Sequence, residues 1–156
     1  MNYIIKCMNN DILKEIISWK YEGQYEVYNM DSYDKLKQRG ASILDVNKKD
    51  NYVCFFCDDE LVGYTNISKK NDKEIFLGIG LSPKYCGKGF GKDILNKSIE
   101  EIKRRYKNVK ISLKVRSWNK RAISCYMKAG FNIINTVIEN DHNNIKTEFI
   151  IMEYNV

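Results

Sequence analysis

Residues 74–115 constrain the fold more than any other part of the chain. Residues 74–81 form an apolar, strand-like run ended by Ser82-Pro83, and glycines follow at 87, 89 and 91. Residues 90–106 then carry Ile94, Leu95, Ile99 and Ile102 at helical spacing, and Ile111, Leu113 and Val115 alternate over residues 109–115. A strand, a helix and a second strand in that order predict a parallel pair with a right-handed crossover. The expected fold class is therefore mixed α/β (an α+β mixed sheet).

The flanks extend this unit. Residues 1–8 alternate weakly and read as a first strand. Asn9-Asn10-Asp11 offers a helix N-cap, followed by Ile12, Leu13, Ile16, Ile17 and Trp19 at helical spacing. A second helix is expected over 32–39, with Gly40 as its stop. Strands are expected at 52–57 and 61–68 around the turn Asp58-Asp59-Glu60, with a polar loop at 68–72. After residue 115, a helix over 119–129 stops at Gly130, and strands at 131–138 and 145–154 form a final hairpin. The total is about seven strands and four helices. No repeat or linker interrupts them, so residues 1–156 are expected to form a single domain.

Several function classes fall away. The chain is 44% hydrophobic with one proline, which excludes a disordered or low-complexity architecture. No apolar stretch approaches the ~20 residues needed to span a bilayer. The N-terminus shows no signal-peptide pattern, so a cytoplasmic protein with no membrane partner is expected. Five scattered cysteines do not suggest a disulfide scaffold. Cys54 and Cys57 fall on one strand with opposite facing, so they read as buried free thiols and no metal is expected. The only histidine, His142, sits in a polar Asn/Asp cluster and reads as a turn residue. The net charge of +6 suits nucleic acid or any small polyanion and does not choose between them.

Gly87-Lys88-Gly89-Phe90-Gly91-Lys92 lies between a strand and a helix. Such a loop lets backbone N–H groups converge on an anion at the helix start, and Lys84, Lys88 and Lys92 add positive charge. A Walker A motif would need glycine at Cys86 and Ser or Thr at Asp93; a dinucleotide fingerprint would need a third glycine at Lys92. Both fail. On its own the loop is also compatible with a plain structural turn. A second cluster, residues 119–131, has the form N-x-x-A-x-x-x-Y-x-x-x-G-F, with Asn119, Ala122 and Tyr126 on one helical face. That pattern alone also fits a capped helix with a core tyrosine.

Together the two clusters resemble the GNAT superfamily of acyl-CoA-dependent N-acyltransferases. Residues 86–91 match the family's loop Q/R-x-x-G-x-G/A, with Cys86 in the Gln/Arg place. The resemblance implies a GNAT-like fold with its central parallel pair splayed apart, and acetyl-CoA as the cosubstrate. It implies that the CoA pyrophosphate rests on the amides of Gly87, Lys88, Gly89, Phe90, Gly91 and Lys92. The pantetheine arm would pair with Ile79 and Leu81 and contact Asn119, and Tyr126 would reach the thioester sulfur. Lysines gathered at a glycine loop fit a nucleotide cofactor better than a phosphodiester track, so no nucleic-acid partner is expected.

The implied function is N-acetyl transfer to a primary amine by direct attack. Tyr126, a phenol of ordinary pKa near ~10, suits protonation of the leaving thiolate. A strand amide near Leu81 would stabilise the oxyanion. Glu74 is a candidate base by family resemblance, and a solvated strand-start carboxylate otherwise. Trp19, Tyr21, Tyr25 and Tyr28, interleaved with Glu22 and Glu26, are candidate walls for a cationic acceptor, small or peptidic. The same residues would serve equally in an ordinary packed helix pair. A non-catalytic acyl-CoA-binding module on the same fold is the alternative, and a binder has no need of Tyr126. A monomer or homodimer fits either reading.

Overall fold

A computed structural model describes residues 1–155. In chain order the elements are β1 (Ile4–Cys7), α1 (Asn10–Ser18), α2 (Tyr33–Gln38), β2 (Tyr52–Cys57), β3 (Glu60–Asn71), β4 (Glu74–Leu81), α3 (Phe90–Arg105), β5 (Lys110–Arg116), α4 (Lys120–Lys128), β6 (Asn132–Asn140) and β7 (Lys146–Asn155). Short 3-10 helices occupy Gly23–Tyr28, Ser42–Leu44, Val46–Asn51 and Pro83–Tyr85. The strands make one seven-stranded sheet in the order β1-β2-β3-β4-β5-β7-β6. β4 and β5 are parallel, whereas β1–β2, β2–β3, β5–β7 and β6–β7 are antiparallel. The mixed sheet and its parallel pair are as the strand–helix–strand order requires. The parallel register pairs Glu74–Phe76 with Lys110–Ser112, and residues 77–81 of β4 lie beyond it. No helix among the described residues is long and apolar enough to cross a membrane.

By its internal contacts the chain divides into two compact units, residues 1–66 with 79–90, and residues 67–78 with those from 91 onward. In the first unit, Asn9 caps α1 by accepting the Ile12 N–H at 2.9 Å, one of the donors a helix start leaves unpaired. Ile12, Leu13 and Ile16 then bury one stripe of α1 against Met8, Trp19, Tyr52, Cys54 and Leu61. Each large apolar side chain buried this way contributes about 1.5–3 kcal/mol. Asp58 and Asp59 turn the β2–β3 hairpin with φ of 50° and 63°, the left-handed pair that a tight primed turn needs.

The ring of Tyr64 lies directly over the backbone of Gly80, and a Cβ on Gly80 would overlap it. This close approach explains a glycine inside β4. Gly80→Ala is expected to cost ~1–3 kcal/mol of overpacking, lowering Tm by roughly 3–10 °C in a chain of this size. Thermal melts check it; an unchanged Tm would mean that the ring moves aside freely.

In the second unit, α3 buries Ile94, Leu95, Ile99 and Ile102, and β5 buries Ile111, Leu113 and Val115, the faces their periodicities dictate. Phe149 and Met152 of β7 join the buried set, and β6 is exposed along nearly its whole length. Three expectations need correction. β3 runs to Asn71 where a loop was expected over 68–72, because a strand exposed on both faces needs no apolar side chains to keep its ladder. Trp19 belongs to the buried core, its ring tilted against that of Tyr64 with centres 6.1 Å apart, and is not exposed as an acceptor wall would be. Of the Cys54/Cys57 pair only Cys54 is buried. Burial pushes its thiol up to about 12, while Cys57 is half-buried.

Candidate functional site

In the first unit, β4 ends at Leu81 and the chain passes through the 3-10 turn Pro83–Tyr85 into the glycine loop. Ser82 is buried, and its N–H donates to the Val62 carbonyl at 2.8 Å, fixing where the strand stops. Glu60, at the start of β3, takes hydrogen bonds from both Lys84 and Tyr85. The Lys84 charge is therefore spent on Glu60. Lys88 and Lys92, both exposed, are the loop's remaining cations. Phe90 packs against Tyr85 at 4.8 Å between ring centres and against Tyr3 at 6.4 Å, so its side chain anchors the start of α3.

Gly87 and Gly89 adopt φ of 75° and 88°, left-handed conformations that favour glycine. Both are exposed, and no atom lies within 4 Å of where a Cβ would stand. The loop therefore has open space over it, backbone amides leading into a 16-residue helix, and two free-standing lysines. That combination fits an anionic phosphate group of a nucleotide cosubstrate. Upstream on β4, Ile79 and Leu81 are half-buried, unlike the fully buried Ile75 and Leu77.

Residues 19–29 also belong to this unit. Tyr21 donates its hydroxyl to the Leu81 carbonyl at 2.7 Å. Tyr28 meets Tyr21 edge-on at 6.3 Å and stacks with Tyr25 at 6.4 Å, so these three rings form a row. The segment is not an α-helix, on which Glu22 and Glu26, four residues apart, would share a face. It is a 3-10 helix over Gly23–Tyr28, with Glu22 extended at its N-cap. Three residues per turn put positions four apart about a third of a turn from each other. Gly23, at φ 60°, breaks the α-helical path. Both carboxylates are exposed.

In the second unit, Asn119 is buried and caps α4, its side-chain oxygen accepting the Ala122 N–H at 3.2 Å. Tyr126 is half-buried on α4, its ring 6.3 Å from that of Phe131, and Gly130 at φ 100° ends the helix. Burial pushes the Cys125 thiol up, and the Lys128 and Lys92 charges oppose that shift. The Glu74 carboxylate, the candidate base, is engaged by its neighbours. Ser112 donates to its carboxylate at 2.7 Å, and Lys70 and Lys110 flank it at 3.8 and 3.9 Å. A carboxylate so engaged is a fixed partner in a cross-strand network.

Sequence reasoning missed Asn29, Tyr64, Ser82 and the pair Arg116–Asp141. Glycines at alternate positions 78 and 80 of a strand are the signal that could have pointed to Tyr64. Arg116 Nη2 donates to Asp141 at 2.8 Å, and the Asn143 and Ile145 amides donate to the other carboxylate oxygen. The Arg116 guanidinium and the Ile145 amide hold the Asp141 carboxyl at about 2. Its stabilising effect is present above the ordinary ~3.9 and is lost as pH falls toward 2. Asp141→Asn is thus expected to lower Tm at neutral pH, with the gap to the parent chain closing between pH 4 and pH 2. Melts across that range check it; a gap independent of pH would contradict it.

Residues 11–131 match the model of the acetyltransferase (GNAT) family. A spermidine N(1)-acetyltransferase of Thermoplasma acidophilum is 26% identical over 132 residues, 81% of each chain. Among solved structures, a spermidine N-acetyltransferase of Vibrio cholerae in complex with CoA and spermine superposes with a TM-score of 0.68 at 19% identity, over 98% of this chain and 95% of that one. The ribosomal-protein-S18-alanine N-acetyltransferase of Escherichia coli does so with a TM-score of 0.70 at 20% identity, over 99% and 94%. The glycine loop, the capped α4 with Tyr126 and the mixed sheet all fall in residues that the family model or these superpositions cover, and the chain belongs to the acetyltransferase (GNAT) family.

Proposed function

We propose that this acetyltransferase moves an acetyl group from acetyl-CoA to a primary amine by direct attack in a ternary complex, with residues 1–156 acting as one catalytic domain. The observation that carries the reading is the open glycine loop, with left-handed Gly87 and Gly89 and exposed Lys88 and Lys92. In this scheme the amides of residues 87–92 hold the pyrophosphate, and Ile79 and Leu81 line the pantetheine arm with Asn119. The family match at 11–131 crosses both units, which supports treating them as one domain.

The chemistry moves protons at the nitrogen and at the sulfur. An alkyl ammonium with pKa near ~10 must lose a proton, here to water, before its nitrogen can attack. The C–N bond then forms at the thioester carbonyl to give a tetrahedral oxyanion; as its C–S bond breaks, the nitrogen loses its second proton to water and the departing thiolate takes a proton. Tyr126 supplies that proton from its phenol. A backbone amide at the end of β4 near Leu81 stabilises the oxyanion. Glu74 has no part in this scheme, its carboxylate being held by Ser112 between two lysines.

On the acceptor side, the row Tyr21, Tyr28 and Tyr25 with exposed Glu22 and Glu26 suits a cation. The names of the spermidine enzymes among the relatives support a polyamine. The test is thiol release from acetyl-CoA with spermidine, an alanine-ended peptide and glutamate as acceptors. Release is expected with spermidine above the other two. Release with none of them, or preference for glutamate, would overturn the acceptor assignment.

A further inference from the structure

We propose that Tyr21 is a positioning residue for the transfer, tying the acceptor segment to the end of β4 through a single peptide group. This rests on the proposed reading that the end of β4 holds the thioester. Tyr21 is itself held on both sides of its backbone. Asn29 accepts the Tyr21 N–H at 2.6 Å and donates to the Tyr21 carbonyl at 3.3 Å. That side chain closes residues 21–29 into a loop in the way a paired strand would. The Tyr21 ring is thereby aimed, and its hydroxyl reaches the Leu81 carbonyl at 2.7 Å.

The Leu81–Ser82 peptide is then engaged at both ends, its carbonyl by Tyr21 and its N–H by Val62 at 2.8 Å. The preceding residue, Gly80, is covered by Tyr64. Nothing about the hydrophobic core requires a tyrosine hydroxyl at this point; phenylalanine would fill the same volume. What the hydroxyl adds is direction. It fixes the plane of the Leu81–Ser82 peptide and, through it, the row of Tyr21, Tyr28 and Tyr25 on the acceptor side. The Ser82 N–H is itself committed to Val62, so the tie serves the reaction by holding the end of β4, and with it the neighbouring Leu81 amide, in a fixed orientation toward a developing charge.

The test uses the full chain with Tyr21→Phe, Asn29→Ala and both together. One neutral hydrogen bond is worth ~0.5–1.5 kcal/mol, so Tyr21→Phe is expected to lower kcat/KM for spermidine by roughly three- to tenfold. KM for acetyl-CoA should stay near the parent value while kcat/KM for spermidine falls, a split that a merely structural role would not give; the same lost bond lowers Tm by no more than roughly 2–5 °C. If the two residues act as one device, the double variant is no worse than the poorer single one. Hydrogen exchange gives a readout that needs no turnover. Tyr21→Phe should speed exchange in peptides covering 21–29 and also in those covering 79–86. Faster exchange at 21–29 alone, or additive losses in the double variant, overturns the proposal. Failure of the parent chain to turn over any amine would instead count against the acetyl-transfer reading, while the exchange result still decides the role of Tyr21.

Discussion

Tyr126→Phe is expected to lower kcat by roughly 10²–10⁴ and to leave CoA affinity within a few-fold. The substitution keeps the α4 ring that packs near Phe131 and removes only the phenolic hydroxyl, the proton donor. A group that only helped to bind CoA would show the opposite split, with affinity lost and turnover kept. Pre-steady-state thiol release with saturating acetyl-CoA and spermidine measures the chemical step directly. Normal release by the phenylalanine variant would mean that water or another group protonates the thiolate.

Gly89→Glu is expected to weaken CoA binding by about 100-fold or more. Two charge-assisted amide contacts at ~1.5 kcal/mol each would account for that factor. The residue has φ of 88°, so any side chain there also strains the backbone by ~1–2 kcal/mol. Gly89→Ala separates the two effects, since alanine brings the strain without the negative charge. Calorimetry with CoA should rank the parent chain above Gly89→Ala and Gly89→Ala above Gly89→Glu, with circular dichroism unchanged. Equal affinities in all three would make the loop a turn and nothing more.

The strand–helix–strand unit was legible because two periodicities meet at a run of glycines, and burial follows that pattern at Ile94, Ile99, Ile111 and Leu113. Asn119 was legible as a helix start because its side chain satisfies an amide that any helix leaves unpaired. The conformation of the acceptor segment was not legible, for a local reason. Five aromatic residues between 19 and 33 mimic an amphipathic helix, but Gly23 turns the chain and Asn29 closes it by side-chain bonds. Such a closure depends on contacts eight residues apart, which no short-range pattern records. The same limit applies to Glu74, whose partners Ser112 and Lys110 come from a strand some 40 residues away, a separation only the fold removes.

Initial-rate measurements with acetyl-CoA and spermidine varied together test direct attack most squarely. Thiol release is expected to require the amine, with reciprocal plots that intersect, because both substrates must be bound before the acetyl group moves. Parallel plots, the mark of an acetylated enzyme intermediate, or thiol release at the same rate without any amine, would contradict it.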